Sequence, residues 1–319
     1  MTTIELCPLS ADDLPTICEL HQRSQRHDGV QQVIQLEELE EELDDVAVVL
    51  ATDTRAAFAD GQLAGYAYTY HLPSEVREER CYVFGEVDPQ MRRLGVGSAL
   101  MSWAIRRAEA QLRSSERTLP RVIRTDKYDY IEGAHVLFAE VGMQPVRYME
   151  ELLRALDDLP RIPEVQGLRI ITWPDERDEE IRHEKNAAFE DHWGSTPTSE
   201  HHWEQMARGF GARPDLSFIA LDEADRVVAH CLNKRFEGDD DLLGRRDGWI
   251  ESLGTLREWR GKGVASALIA HSLHAFAEAG LTHASIGVDS DNPTGAAGLY
   301  RRLGFQPRQR SITHEIRLR

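Results

Sequence analysis

The apolar positions of this chain fall into two successive runs of similar elements. In the first run, Thr3 to Leu9 has the alternation of a strand. Leu14, Ile17, Cys18 and Leu20 then recur on a helical period towards Arg26, with Ser10 or Asp12 placed to cap the helix. Leu36 to Asp45 reads as a second helix whose glutamates form a solvated face. Arg55–Ala59 and Leu63–Leu72 flank Asp60-Gly61, the signature of a hairpin. Cys81–Val87 is a strand that leads through a glycine-containing turn into a helix bearing Leu100, Ala104 and Ala108. A strand over Val122–Thr125, a helix from Ile131 and a closing strand over Arg147–Leu153 complete the run.

Residues 157–166, with Pro160 and Pro163, read as a linker. The pattern restarts with a strand at Leu168–Thr172, a helix over Asp178–Glu190 and a helix from Thr198 or Ser199 to Arg208. Leu216–Leu221 and Val227–Phe236 are strands, and Glu237–Asp247 is a charged, solvated loop. A strand from Ile250 runs into a helix carrying Ala267, Leu268, Leu273 and Phe276. The strand His283–Val288, a helix opened by Pro293 and a closing strand at Thr313–Leu318 follow.

The most informative stretch is Ile250–Ala265. On a regular strand, Ile250, Ser252 and Gly254 point one way, while Glu251, Leu253 and Thr255 share the other face. Arg260, Gly261, Lys262, Gly263, Val264 and Ala265 then form a turn that opens a helix. Unpaired N–H groups at such a turn make a concave, partly positive donor set suited to phosphate or pyrophosphate. Glycine permits close approach of the backbone, and Arg260 and Lys262 add charge. The spacing matches neither the three-glycine dinucleotide fingerprint nor a Gly-Lys-Ser/Thr loop.

A second motif follows. Asn292 precedes a helix, and Tyr300 stands four residues before Gly304-Phe305. Together the two resemble the GNAT superfamily of N-acetyltransferases. The first half repeats the loop with Arg92, Arg93, Gly95, Val96 and Gly97, about 168 residues upstream when counted from Arg92 to Arg260. The resemblance implies an α/β (α+β) chain of two tandem GNAT-like domains, 1–156 and 167–319. Each is a mixed, mostly antiparallel twisted sheet flanked by helices.

It further implies acetyl-CoA as acyl donor and direct transfer to an amine. Tyr300 would be the general acid for the sulfur, and Glu251 a candidate base or a site for the acceptor's cation. Leu253 and Thr255 would pair through their backbones with the pantetheine arm. The backbone from Arg260 to Ala265 would hold the pyrophosphate, and Asn292 would steady the arm. The first half has Phe138 where the second has Tyr300, and Cys81 and Val83 where the second has Trp249 and Glu251. Phenylalanine neither donates nor accepts a proton, so no chemistry is expected there. Its loop remains a possible second acetyl-CoA site, with a structural role preferred.

Composition narrows the partners. A net charge of −18 argues against nonspecific binding to nucleic acid or anionic membrane and is compatible with an amine substrate. Cys7, Cys18, Cys81 and Cys231 show no metal or redox spacing, and adjacent His201 and His202 diverge on a helix, so no metal is expected. Without a leader or a membrane-length apolar run, a cytoplasmic enzyme is expected, as monomer or homodimer. Glu190, Asp191, His192 and Trp193 are placed to meet an amine acceptor or to cap and pack a loop. The tandem layout is similar to that of the mycothiol synthases, which acetylate a cysteinyl amine. A peptide or antibiotic amine, a longer acyl donor, and a non-catalytic acyl-CoA sensor stay open.

Overall fold

The computed structural model describes residues 3–291 and 295–318. Asn292 and Pro293, singled out by the sequence, lie outside the described residues. The chain forms two compact units. One carries the residues up to Tyr148 together with those from Ser311 onward, and the other is Met149–Arg310.

In the first unit β1 (Ile4–Cys7) is followed by α1 (Leu14–Asp28), α2 (Leu36–Leu43) and α3 (Leu50–Asp53). The strands β2 (Thr54–Ala59), β3 (Gln62–Leu72) and β4 (Glu79–Val87) come next. They lead to α4 (Val96–Ser114), β5 (Arg121–Tyr128) and α5 (Glu132–Glu140). The β1–β2, β2–β3 and β3–β4 pairs are antiparallel, and β4 lies parallel to β5. One face packs Ile17, Leu20, Leu39 and Leu43 against Tyr66 and Tyr68; the other packs Ala104, Ala108 and Leu112 against Ile123 and Phe138.

The next strand, β6 (Gln144–Ala155), leads to β7 (Leu168–Thr172), α6 (Asp178–Ala188) and α7 (Glu200–Arg208). Strands β8 (Phe218–Asp222) and β9 (Val227–Arg235), a short α8 (Asp240–Leu243) and β10 (Asp247–Thr255) follow. The chain then forms α9 (Val264–Glu278), β11 (His283–Asp289), α10 (Ala296–Arg302) and β12 (Gln306–Leu318). In the second unit β7–β8, β8–β9 and β9–β10 are antiparallel, and β10 lies parallel to β11. The apolar stripe of α9 packs Leu268, Leu273 and Phe276 on one face of this sheet, and Ile181 and Trp203 of α6 and α7 cover the other. Of the two cap candidates for α7, Ser199 serves: its Oγ accepts from the His202 N–H at 3.3 Å. The charged segment 237–247 contains α8, and Asp240 there pairs with Arg235.

The closing strands differ from expectation. Residues Met149–Ala155 of β6 pair antiparallel with β11 and belong to the second unit. Residues Ser311–Leu318 of β12 pair antiparallel with β5 and belong to the first. The two strands are exchanged, so a cut through the linker does not separate the two sheets. A buried ion pair holds the exchange in the first unit. Arg124 meets Glu315 at 2.7 Å, each with 1% of its side chain exposed, and Glu78 takes the same guanidinium at 2.7 Å.

Candidate active site

The site is built where β10 parts from β11. Their register runs from Asp247↔His283 to Ile250↔Ile286 and ends there, although both strands continue. At the same point β10 is bulged against β9, because Ile250 faces Asn233 and Ser252 faces Leu232. Glu251 is the extra residue. A bulge of this kind re-aims the side chains that follow it.

Two glycines record the change of face. A Cβ on Gly248 would collide with the Phe276 ring of α9 at 2.6 Å. A Cβ on Gly254 would meet His230 at 2.3 Å and Ala188 of α6 at 3.1 Å. A regular strand would put both on one face. The expectation that Ile250, Ser252 and Gly254 share a face is therefore corrected. So is the placing of Glu251 beside Leu253: Leu253 packs into the α9 core, whereas Glu251 is exposed and accepts the Trp249 Nε1–H bond at 2.7 Å.

Behind the bulge lies a buried polar chain that the sequence gave no reason to assemble. Ser252 Oγ is 2.9 Å from His230 Nε2, and His230 Nδ1 is 2.5 Å from Glu184 Oε2. All three side chains are buried. The participants come from β10, β9 and α6, so no local spacing links them. A glycine inside a strand, beside a histidine on the neighbouring strand, was the available signal.

The turn after β10 keeps the expected shape. Gly261 and Gly263 have φ of 75° and 86°, and with a glycine, Gly263, at the N-cap the first N–H groups of α9 have no side-chain cap. Gly261 and Gly263 are exposed, Val264 is buried and Ala265 half-buried. Arg260 does not extend from the turn as a free charge. Its guanidinium donates to the carbonyls of Thr255 at 3.1 Å and Ala188 at 2.7 Å, bracing the turn against α6. Lys262 lies 4.5 Å over the Trp259 ring. Asp191, a candidate acceptor contact, pairs with Arg257, whose bond holds its carboxyl below the usual range.

Tyr300 sits in the core beneath the α9 side of the sheet, edge-on to Phe305 at 6.2 Å. Burial pushes its phenol well up, and the nearby Cys231 adds to the shift, so the group holds its proton at neutral pH. Tyr300 and Glu251 thus occupy opposite faces of the strand pair, on either side of the opening. The unpaired β10 edge, the open glycine turn and the buried Thr255 Oγ1, which has no partner among the described residues, fit a pantetheine arm running to a pyrophosphate.

The first unit has the same turn and a different floor. Arg93 and Gly95 have φ of 64° and 90°, matching Gly261 and Gly263. Arg92 is bound by Asp28 and Ser24 of α1. The β4–β5 register also ends early, at Tyr82↔Arg124, but β4 carries no bulge against β3. Tyr66 and Glu86 stand in the paired positions that His230 and Gly254 hold in the second unit. Glu86 is bound by Lys127 and by Ser24 at 2.8 Å, and His21 bonds the Tyr66 hydroxyl at 2.6 Å. Phe138, 3% exposed, packs against the stacked rings of His135 and His314.

The site is thus a parallel strand pair that parts beside a bulge and feeds a glycine turn onto a helix, and the matches to known proteins make the chain an N-acetyltransferase. The chain belongs to the acetyltransferase (GNAT) family, whose model matches residues 14–124 and 178–305. It is 30% identical to a mycothiol acetyltransferase from Gordonia bronchialis over 257 residues, spanning 76% of this chain and 74% of that one. Among solved structures it is similar to a GCN5-related N-acetyltransferase from Sphaerobacter thermophilus, with a TM-score of 0.76 and 25% identity over 99% of this chain and 96% of that one. A tandem GNAT protein from the clavulanic acid biosynthesis pathway shares the fold at a TM-score of 0.72 and 18% identity, covering 99% of this chain and 98% of the other.

Proposed function

We propose that the second unit transfers an acetyl group from acetyl-CoA directly to a primary amine of a small molecule, and that the first unit does no chemistry. The observation that carries this reading is the bulged opening of β10, with Glu251 on one face and Tyr300 on the other. The first unit lacks the bulge, the carboxylate and the phenol together, and fills the corresponding face with Tyr66, Tyr68 and Phe84.

In this reading the edge of β10 beyond Ile250, with Leu253 and Thr255, aligns the pantetheine arm. The backbone from Arg260 to Ala265 receives the pyrophosphate, and Asn292 steadies the arm. A nearby N–H polarises the thioester carbonyl, so that the oxyanion develops against a fixed donor. Glu251, fixed by Trp249, receives the acceptor's ammonium and takes a proton from it. Tyr300 protonates the departing sulfur. The matching turn of the first unit, from Arg92 to Gly97, serves as a structural relic of the donor site.

The acceptor proposed for the first trial is the cysteinyl amine of a mycothiol-type precursor, because the relatives that cover most of the chain carry that name. Coenzyme A release from acetyl-CoA, measured with that acceptor beside a panel of sugar, antibiotic and peptide amines, tests the reading. Amine-dependent release that drops in Tyr300→Phe is the expected result. Saturable acetyl-CoA binding with no release for any amine would favour a sensor instead.

A further inference from the structure

An amine that enters as ammonium leaves as an amide with a single N–H, so two protons must depart from nitrogen. Glu251, exposed at the bulge, accounts for one of them. The next residue in the chain, Ser252, begins the buried sequence Ser252 Oγ, His230 Nε2, His230 Nδ1, Glu184 Oε2, with separations of 2.9 Å and 2.5 Å.

The direction of these bonds follows from the end that is fixed. With Glu184 as a carboxylate acceptor, Nδ1 carries the hydrogen and Nε2 is left as an acceptor. The Ser252 hydroxyl then donates its hydrogen to Nε2, and its two oxygen lone pairs are left to accept. Glu184 is the ionisable side chain bonded to the imidazole, Phe189 lies 6.2 Å away ring to ring, and Gly254 supplies the space in which the ring lies. In the first unit the corresponding places hold Tyr66 and Glu86, with His21 of α1 on the Tyr66 hydroxyl, and no serine–histidine–carboxylate chain is found there among the described residues.

We propose that Ser252, His230 and Glu184 form a proton relay that removes the second proton from the acceptor nitrogen. As nitrogen bonds to the acetyl carbon, its N–H proton passes to Ser252 Oγ while the Oγ–H proton passes to His230 Nε2. The resulting imidazolium is held by Glu184. The C–S bond breaks with its electron pair on sulfur, which takes the Tyr300 proton. Solvent afterwards removes the protons from Glu251 and His230 and restores that of Tyr300, a net release of one proton. His230 and Glu184 act through Ser252 and do not touch substrate.

This inference rests on the second unit being the site of transfer, and the experiment separates the two. In the full chain, Glu184→Gln keeps an acceptor for Nδ1–H but removes the charge that holds the imidazolium. With acetyl-CoA and S-methyl-L-cysteinamide as acceptor, Glu184→Gln and His230→Gln should each lower kcat at least tenfold, with the KM for acetyl-CoA and the melting temperature near those of the parent. The proton inventory of kcat in mixed light and heavy water should be bowed in the parent and in Glu184→Gln, where both relay protons still move, and less bowed in His230→Gln, which has no acceptor for the Oγ–H proton. Histidine-labelled protein, with His230 assigned through His230→Gln, should show the Nδ1–H tautomer in 15N spectra whether or not the probe amine reacts. A hydrogen on Nε2 in the neutral ring overturns the relay. So does parental turnover in Glu184→Gln when Tyr300→Phe is impaired. Parental turnover in Tyr300→Phe instead overturns the placing of the chemistry, and the relay falls with it.

Discussion

The imidazole of His230 lies against the backbone of Gly254, so closely that a single added carbon would sit 2.3 Å from Cε1 and 2.8 Å from Nδ1. The ring has little freedom to withdraw, because Ser252 and Glu184 hold its two nitrogens. Gly254→Ala should therefore destabilise the second unit by about 1–3 kcal/mol through overpacking. It should also lower turnover by displacing the ring. Denaturant unfolding beside a coenzyme A release assay measures both; an unchanged midpoint would show that the ring can move aside.

The Trp249 indole fixes the Glu251 carboxylate from two residues away. Under the proposed base role, Glu251→Gln should lower kcat by about 10²-fold or more. Trp249→Phe keeps the carboxylate and loses only its indole donor, so its effect on kcat should be smaller. Steady-state kinetics on both variants checks the order, and equal losses would make the indole as necessary as the carboxylate.

Arg124 and Glu315 form a desolvated pair, with Glu78 as a second partner for the guanidinium. Removing one carboxylate leaves the buried charge partly uncompensated. Glu315→Ala should cost about 2–4 kcal/mol, somewhat less than a fully orphaned partner would because Glu78 remains. The loss should appear in protection of first-unit amides from hydrogen exchange, although residue 315 lies near the end of the chain.

Burial pushes His21 down to about 4, with Lys127 adding to the shift and Glu86 opposing it. The unfolded imidazole titrates near 6.5, so the unfolded chain binds the extra proton first. The contribution is fully present above about pH 6.5 and is lost as pH falls towards 4, up to about 3 kcal/mol. Urea midpoints at pH 7.5 and 5.0 should differ more in the parent than in His21→Gln, which cannot take up that proton.

Much of the fold was legible because helical and strand periods are local. The strand at Leu168–Thr172 and the helix from Asp178 appear where the apolar pattern puts them. The exchange of closing strands was not legible. Residues 147–153 and 313–318 both alternate, and alternation states that a strand has two faces without naming its neighbour. The glycine turn and the buried Tyr300 could be located from sequence, since each belongs to a compact motif. The bulge could not: it arises from β9 having one residue fewer than β10 over the same span, a property of the pair. The same limit hid His230 and Glu184, which are brought to Ser252 by pairing and helix packing.

Strand exchange also imposes an order on synthesis. The first unit's sheet takes its closing strand from residues 311–318, so it stays open at β5 until those residues have left the ribosome. The second unit's closing strand, by contrast, is already made when its own sheet begins to form. The half translated first is the half completed last, and during that interval a nascent-chain chaperone would find an unsatisfied strand edge on the older half.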